Sequence, residues 1–382
     1  MTSPVDVPSI RRPAAKAGIA ASLVAVPALA YRFAVVYRVR AGLPRRRPVL
    51  LTPADRGLPF EATSVPSSVG DLPAWFIPAR GGEPGPGVVL VHGWESNRDR
   101  TLPNAQVLHA AGFHVLTFDV RGHGDNPAET LPISVGEFAA DATAALDTIL
   151  IRPEVTSAGF LGHSLGAVGT IIAAAEAGER CAVLVSSSAP ADPRRLTRQT
   201  FRLARLPIPE PIATPLAELT TRVYLRPRGH HVADLSASRA IARYAGPILL
   251  VHGVEDSVVP VAHLARLERA ARRGAVERAA AGLEPGGPIE TLVLTEGHHS
   301  WMYELEPYRR AIASFLAQAF GGPYPPEEAA DRAAAVTDAV RIPDPNEGFA
   351  AVGDGLGARR TFGEIVGTVT PTSVEGESAG AG

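Results

Sequence analysis

Residues 159–166 read GFLGHSLG, and this stretch decides which fold the chain can adopt. It predicts a buried apolar strand that ends in a G-x-S-x-G turn at Ser164, followed by an apolar helix over residues 165–177. A serine on such a sharp turn holds strained backbone angles, and Gly162 and Gly166 leave the space that a Cβ atom would otherwise occupy. We therefore expect Ser164 to project from a strand-to-helix turn.

The predicted helix gives Ser164 a chemical environment as well as a position. Its N-terminus points at the serine, so backbone N–H groups and the positive end of the helix dipole face any oxyanion formed there. A serine is a weak nucleophile at neutral pH and needs a base that is oriented by a third group. Ser164 is thus a candidate nucleophile, and the alternative is an ordinary loop serine between glycines.

A candidate acid follows a later apolar run, in the stretch VHGVEDSVVP at residues 251–260. Asp256 comes directly after a predicted buried strand, where a carboxylate can reach the same edge of the sheet as Ser164. We favour it over Glu255, because the two adjacent side chains point in different directions. The alternative is an aspartate that only caps a turn.

A candidate base lies in TEGHHSW at residues 295–301, again just after an apolar run. We favour His299 over His298 because Gly297, two positions before it, lets the loop turn toward the nucleophile. A zinc site is the other interpretation of two adjacent histidines. Their side chains point apart, however, and no nearby cysteine or H-x-x-x-H spacing supports a metal, so we expect neither metal nor cofactor.

Two backbone N–H groups are candidates for an oxyanion hole. One belongs to Leu165, directly after the nucleophile, and the other to Trp94 in the loop VHGWE that follows the first predicted parallel strand. Gly93 permits a close approach of that loop, and we expect His92 to buttress it. The loop FDVRGHGD at residues 118–125 ends the next strand. We expect its charged residues to fix loops beneath the site and to take no catalytic part.

Apolar runs and helical patterns alternate along the middle of the chain. A short antiparallel hairpin is predicted over residues 61–66 and 74–78, before six continuous apolar runs that suit strands buried on both faces. Alternation with helices implies a mostly parallel, twisted sheet with helices on both faces. The predicted strands are 88–91, 114–118, 158–161, 182–185, 248–251 and 291–294, and the predicted helices are 102–111, 135–151, 165–177, 261–281 and 307–320.

Composition and charge limit the kinds of partner that the protein can bind. The chain has 382 residues, of which 46% are hydrophobic, so it can bury a large core. Residues 1–47 hold nine basic side chains and one acidic one, whereas the rest holds 28 basic and 38 acidic. An acidic body argues against nucleic-acid binding. The single cysteine, Cys181, excludes an intrachain disulfide and fits a reducing compartment.

The basic arm, residues 1–47, contains the apolar run AGIAASLVAVPALAY at 17–31. If Arg32 snorkels, the run extends to residue 39 and becomes a membrane anchor or interfacial helix, which would bring the protein to a membrane surface. Dense positive charge after the run keeps the body cytoplasmic by the positive-inside rule. The alternatives are a helix packed on the body, and a signal peptide cleaved near residues 28–30 followed by export.

Three further segments complete the predicted organisation. Residues 48–321 form the predicted α/β domain. Within it, residues 190–236 break the alternation of strands and helices, and we expect them to form a helical cap insertion above the carboxyl ends of the strands. Arg194, Arg198, Arg202 and Arg205 fall on one helical face there, as a solvated stripe or as a surface for anionic lipid. Residues 322–382 are rich in Pro, Gly, Ala and Glu, so we expect a mostly disordered tail with at most one short helix over 327–340.

The ordered motifs H-G-W, D-x-R-G-H-G, G-H-S-L-G, H-G-x-x-D-x-x-V-P and G-x-H resemble those of the α/β-hydrolase superfamily, in its group of serine esterases, lipases and aminopeptidases. The resemblance covers about residues 60–320 and implies an α/β-hydrolase fold with Ser164, Asp256 and His299 as catalytic triad. It implies Trp94 and Leu165 as the oxyanion hole. Two departures affect loop geometry: a longer segment over 268–288, and an asparagine at position 126.

The resemblance implies a serine hydrolase that cleaves an ester, thioester or amide of a small acyl substrate through an acyl-enzyme. An apolar cap would favour esters of hydrophobic acyl chains. A serine peptidase and an acyltransferase remain open alternatives on the same triad, because the fold alone does not decide the acceptor. A non-catalytic module that keeps the fold as a ligand pocket is the alternative from another class. Oligomeric state is not predicted.

Overall fold

An eight-stranded sheet forms the centre of the computed structural model, which describes residues 42–192, 197 and 209–341. The strands are β1 (Glu61–Ser67), β2 (Gly70–Ile77), β3 (Gly85–Val91), β4 (His114–Phe118), β5 (Val155–His163), β6 (Leu184–Ser187), β7 (Ile248–Gly253) and β8 (Ile289–Leu294). Their order across the sheet is β1-β2-β4-β3-β5-β6-β7-β8. Strands β3 to β8 run parallel, and β2 pairs antiparallel with both β1 and β4.

The predicted strands are confirmed, including the antiparallel hairpin at the start. Continuous apolar runs arise because the inner strands are covered on both faces: Val88 and Leu90 of β3 pack into one core, and Val89 and Val91 pack into the other. Strand boundaries differ by a few residues: β3 and β5 each begin three residues before their predicted starts, and β6 begins two residues after its predicted start at 182. The sheet therefore brings the carboxyl ends of β5, β7 and β8 to one edge.

Helices cover both faces of the sheet, as predicted for an α/β-hydrolase fold. Within the described residues, four helices pack on one face of the sheet and three on the other, while an eighth, in the insertion, adds Leu225 to the core on the first of these faces. The helices are α1 (Leu102–Ala110), α2 (Val135–Leu150), α3 (Leu165–Ala177), α4 (Glu210–Leu225), α5 (Ala237–Arg243), α6 (Ala262–Ala280), α7 (Glu306–Phe320) and α8 (Pro326–Ala334). Helices α2, α3, α5 and α6 share one face, and α1, α7 and α8 share the other.

The insertion between β6 and β7 does contain a helix, α4, followed by a short 3₁₀ turn over Arg226–Arg228. It is tied to the loop before α2: Arg228 donates to Glu129 at 2.7 Å, and His230 lies 2.7 Å from Glu137. The hydroxyl of Tyr224 donates to the carbonyl of Ile133. The predicted arginine stripe at residues 194–205 lies outside the described residues.

The segment after residue 321 contains one short helix, at the place where the sequence analysis allowed one over 327–340. Residues 326–334 form α8, whose side chains Ala329 and Ala333 are fully buried in the core shared with α1 and α7. The packing of this helix on the body was not predicted, because its buried side chains are small alanines. The remainder of the predicted tail, residues 342–382, lies outside the described residues.

The last part of the predicted arm packs on the body. The carbonyl of Gly42 accepts from the N–H of Ile133 at 2.7 Å, and Arg46 donates to the carbonyl of Asn126 at 2.9 Å. Residues 1–41, with the predicted anchor or signal segment, lie outside the described residues. No helix in the described part of the chain is long and apolar enough to cross a membrane.

The packing of α8 generates a stability prediction. Ala333→Asp places an unpaired carboxylate in a fully buried position, so we expect the free energy of unfolding to fall by about 3 kcal/mol. Ala335→Asp, two residues later at an exposed position, is the matched control and should cost little. Urea denaturation of the two variants measures the difference. Equal stabilities would contradict the packing of α8.

Candidate active site

Ser164 sits at the junction of β5 and α3 with the strained backbone angles φ 54° and ψ −119°. Its N–H donates to the carbonyl of Ser187 at 2.9 Å, which holds the turn against β6. A Cβ on Gly166 would lie 2.3 Å from the carbonyl oxygen of His92, and one on Gly162 would lie 2.5 Å from Thr170 Oγ1. Only glycine fits at either position, as the sequence predicts.

The structure brings the three predicted site side chains together. His299 Nε2 lies 3.0 Å from Ser164 Oγ, and His299 Nδ1 lies 2.8 Å from Asp256 Oδ2. All three residues are at least 94% buried. With Nδ1 donating to the carboxylate, Nε2 is free to accept the serine proton, which is the tautomer that a general base requires.

Asp256 is fixed from several sides. Its Oδ1 accepts from the N–H groups of Val258 at 2.9 Å and Val259 at 2.7 Å, and this leaves Oδ2 to face His299. Burial alone would raise the pKa of Asp256. The neighbouring histidines, with the hydrogen bonds that they and the backbone donate, outweigh burial and hold this pKa well below its usual range. The carboxylate therefore stays ionised.

His252 is a member of this site that the sequence analysis missed. Its Nε2 lies 3.2 Å from Asp256 Oδ2 and 2.7 Å from the carbonyl of Val259, so one ring N–H can serve both acceptors. The ring is buried at the end of β7. Its position in the run VHGVED, four residues before the aspartate, was the available signal, and we interpret it as a residue that positions Asp256.

His298 and Glu255, the neighbouring residues that were the alternatives to His299 and Asp256, lie outside the buried site. His298 Nε2 is 3.5 Å from Glu255 Oε2, and these side chains are 40% and 56% exposed. They pair with each other at the surface, one step along the chain from the buried pair of Asp256 and His299. Neighbouring side chains point to opposite sides of each loop, which is the reason that the sequence analysis gave for choosing Asp256 over Glu255. Its choice of His299 rested instead on Gly297, two positions earlier.

The loop after β3 approaches Ser164 closely. A Cβ on Gly93 would lie 3.4 Å from Ser164 Cβ, and Trp94 lines the same cavity as Ser164. Leu165 is the first residue of α3, where backbone N–H groups have no partner within the helix. The predicted oxyanion residues, Trp94 and Leu165, thus border the nucleophile from two sides.

His92 holds that loop, as expected. The N–H of Val120 donates to its Nε2 at 3.0 Å, while its Nδ1 donates to the carbonyl of Gly93 at 2.7 Å. Burial first, and the nearby His123 second, lower the pKa of His92 to about 3. The ring is therefore neutral, and both of its nitrogens are used in joining two loops.

Glu95 is a second residue that the sequence analysis missed. It follows Trp94 with a positive φ of 49° and is fully buried, and its carboxylate accepts from the backbone N–H of Arg45 at 2.9 Å and from the Arg45 guanidinium at 3.2 Å. A buried carboxylate requires such a partner. The partner lies fifty positions earlier in the chain, so local sequence gave no signal for the pair.

Buried ion pairs hold the loop after β4, in agreement with the role predicted for its charges. Asp119 accepts from the backbone N–H and the guanidinium of Arg98, and Arg121 pairs with Asp141 of α2. Asn126, one of the two departures, donates to the carbonyls of Asp119 and Val120 and closes this loop. The other departure, residues 268–288, falls in the second half of α6 and the turn after it, away from Ser164.

A narrow cavity of about 60 Å³ opens beside Ser164. Its walls come from the loop after β3, the end of β6 and the segment before α7, and its polar members include Asn104, Ser187 and Tyr308. No described residue of the insertion 190–236 lines it. In the part of the chain that the structure describes, no group of three or more His, Cys, Asp or Glu side chains could hold a metal.

The buried histidines around the loop generate a prediction on stability. Burial lowers the pKa of His123 to about 4, below the value of about 6.5 in an unfolded chain. Between these values the unfolded chain binds a proton that the folded protein does not, so the free energy of unfolding falls as pH falls from 6.5 toward 4. We expect His123→Phe to flatten this slope by about 1 kcal/mol per pH unit.

Urea denaturation at several pH values between 4 and 7 measures that slope. His231→Phe is the matched control, because its ring is exposed in the folded protein, and it should keep the wild-type pH dependence. A His123→Phe variant with the full wild-type slope would contradict the assignment of a neutral, buried ring.

Comparisons with known proteins agree with this architecture. The family model described as "Alpha/beta hydrolase family" matches residues 88–315. An uncharacterized protein of Mycobacterium tuberculosis is 31% identical over 204 residues, and the match spans 52% of this chain and 63% of that protein. The chain thus covers less than two thirds of this relative.

Solved structures share the fold. The Pyrococcus furiosus esterase Pf2001 superposes with a TM-score of 0.56 at 20% identity, over 73% of this chain and all of that one. A puromycin-hydrolyzing peptidase of Mycobacterium tuberculosis gives a TM-score of 0.54 at 18% identity, over 69% of this chain and 40% of that one. At these identities the likeness concerns the fold alone. The family match over most of the sheet, together with the strand order and the turn at Ser164, establishes that the chain belongs to the alpha/beta hydrolase family.

Proposed function

We propose that the protein is a serine hydrolase that cleaves carboxylic esters through an acyl-enzyme on Ser164. The observation that carries this proposal is the hydrogen-bonded series from Ser164 Oγ to His299 Nε2, at 3.0 Å, and from His299 Nδ1 to Asp256 Oδ2, at 2.8 Å. A buried serine, a neutral imidazole and an ionised carboxylate in this order are the parts that acyl transfer requires.

The first half of the reaction forms the acyl-enzyme. Ser164 Oγ attacks the carbonyl carbon of the substrate while His299 Nε2 takes the hydroxyl proton. The carbonyl oxygen becomes an oxyanion, which the N–H groups of Leu165 and Trp94 stabilise. When the tetrahedral intermediate collapses, the bond to the alcohol breaks and His299 returns the proton to the leaving oxygen.

The second half regenerates the serine. A water molecule gives one proton to His299 and attacks the acyl carbon, and collapse of the second tetrahedral intermediate releases the carboxylic acid as Ser164 recovers its proton. Asp256 stays ionised throughout and stabilises the imidazolium. An amine or alcohol in place of water would make the same chemistry an acyl transfer, and an amide substrate would make it a peptidase.

Adjacent histidines give a sharp test of the base. His299→Gln should lower kcat/KM for p-nitrophenyl butyrate by at least about 10³-fold, as should Ser164→Ala, because each removes a part of the proton-transfer unit. His298→Gln, one residue away on the exposed side of the same loop, should change it by less than about threefold. Initial rates at neutral pH measure all three variants.

Two outcomes would contradict this assignment. If His298→Gln loses activity and His299→Gln keeps it, the base is misassigned. If folded wild-type protein turns over neither the ester nor the matching p-nitroanilide, the non-catalytic interpretation replaces the enzyme. Turnover of the anilide at a rate comparable to the ester would favour the peptidase alternative.

The adjacent residues Asp256 and Glu255 allow a test of which carboxylate orients His299. Asp256→Asn keeps the shape of the side chain but cannot hold the required tautomer of His299, so we expect kcat to fall by about 10⁴-fold. Glu255→Gln at the exposed neighbouring position should leave kcat within about threefold of wild type. The assay is the same ester hydrolysis, with circular dichroism to verify folding. Equal effects of the two substitutions would contradict the role of Asp256.

A further inference from the structure

The cavity beside Ser164 is small and is lined by both apolar and polar side chains. Its volume of about 60 Å³ is far below the ~300 Å³ at the lower end of pockets for drug-sized ligands. A water molecule needs roughly 15 Å³ by this measure. The cavity therefore encloses only a handful of non-hydrogen atoms, so we expect a long acyl chain to fit it poorly.

Three uncharged polar side chains belong to its walls: Asn104, Ser187 and Tyr308. They are 9%, 2% and 2% exposed, so each is held inside the protein. The side chains of Ser187 and Asn104 hydrogen bond with the Tyr308 hydroxyl, and burial raises the pKa of Tyr308 further above its usual value. The hydroxyl is therefore a neutral phenol, able to donate a proton to an acceptor in the cavity.

The other residues that line the cavity limit which acyl groups could bind there. Trp301 and Met302 contribute apolar surface along the cavity, which suits methylene groups between the reacting carbonyl and the polar wall. Arg100 also lines the cavity, and its positive charge disfavours a cationic group there. The wall thus matches a short, uncharged chain that carries a hydrogen-bond acceptor.

The cavity lies on the acyl side of the reaction. The leaving group must meet His299, which returns a proton to it, yet His299 is not among the described residues that line the cavity. Gly93 and Trp94 do line it, and Trp94 is one of the two residues of the proposed oxyanion hole. The acyl portion of a substrate attacked by Ser164 would therefore extend into this space.

Resting on the proposed function, we propose that the enzyme selects short acyl groups of about two to four carbons that carry an oxygen acceptor beyond the reacting carbonyl, with Tyr308 and Asn104 as the residues that determine this specificity. A site built to hydrogen bond an oxygen rejects an analogue that lacks it, because the polar groups of the site lose their partner. A pocket lined only by apolar groups would show no such preference.

The test compares two p-nitrophenyl esters with the same number of heavy atoms, the methoxyacetate and the butyrate. Their intrinsic reactivities differ, so the measured quantity is the ratio of kcat/KM for the two esters, compared between enzyme variants. We expect Tyr308→Phe and Asn104→Leu each to lower the ratio of methoxyacetate to butyrate about tenfold, which is the loss of one hydrogen bond. In wild-type enzyme, p-nitrophenyl octanoate should have a kcat/KM at least tenfold below that of the butyrate.

Tyr244→Phe is the matched control. It removes another buried tyrosine hydroxyl, one that donates to the carbonyl of Cys181 at 3.0 Å and does not line the cavity, so the ratio should equal that of wild type. Thermal melting verifies that each variant is folded. A change in stability without a change in ratio would assign Tyr308 a structural role only.

The outcomes separate this inference from the proposed function. An unchanged ratio in both cavity variants, or octanoate turned over as well as butyrate, overturns the inference while ester hydrolysis dependent on Ser164 still stands. If Ser164→Ala retains turnover of these esters, the proposed function itself fails. A lowered ratio in Tyr308→Phe and Asn104→Leu, with the control unchanged, supports the polar acyl pocket.

Discussion

The site depends on the close packing of the turn at Ser164 between two neighbouring strands. Positive φ at a serine costs on the order of 1–3 kcal/mol and persists only where the surroundings impose it. Here the N–H of Ser164 is bound to the carbonyl of Ser187, and the backbone of Gly166 lies against the carbonyls at the end of β3. With β6 on one side and β3 on the other, the serine has a single position. The loops after β7 and β8 then carry Asp256 and His299 to it.

A layer of buried polar groups fixes those loops in turn. The loop after β7 is held by the backbone N–H groups of Val258 and Val259, which donate to Asp256, and by His252. The loop after β3 is held by His92, which bonds to the backbone of the next loop, and by Glu95, which pairs with Arg45. Such groups are costly to bury unless they are fully partnered, and once partnered they specify one arrangement. The geometry around Ser164 is thus maintained by buried residues outside the proposed triad.

Much of the fold follows from sequence because it depends on local patterns. Continuous apolar runs predict the inner strands, and the glycines around Ser164 predict the turn, since both patterns reflect the immediate surroundings of each residue. The choice of His299 over His298 and of Asp256 over Glu255 follows from the same local geometry. The hydrogen-bond distances now agree with those choices, and the catalytic roles remain to be measured.

The features that sequence did not predict arise from contacts between distant segments. Glu95 and Arg45 are fifty positions apart, and the polar end of the cavity combines Asn104 from α1 with Ser187 from β6 and Tyr308 from α7. Helix α8 packs through alanines onto the core that it shares with α1 and α7, and this contact joins segments that are far apart in the chain. Cavity shape and long-range ion pairs depend on how the elements meet, and no local pattern encodes that.

The central claim is that Ser164 forms a covalent intermediate, and mass spectrometry tests it most directly. Folded wild-type protein would be treated with a fluorophosphonate at neutral pH, followed by intact mass measurement and peptide mapping. A single adduct per chain, located on Ser164, is the predicted result, because the hydroxyl of Ser164 lies within hydrogen-bond distance of His299 and beside the proposed oxyanion hole. An adduct on another serine, or no adduct on folded protein, would contradict the account.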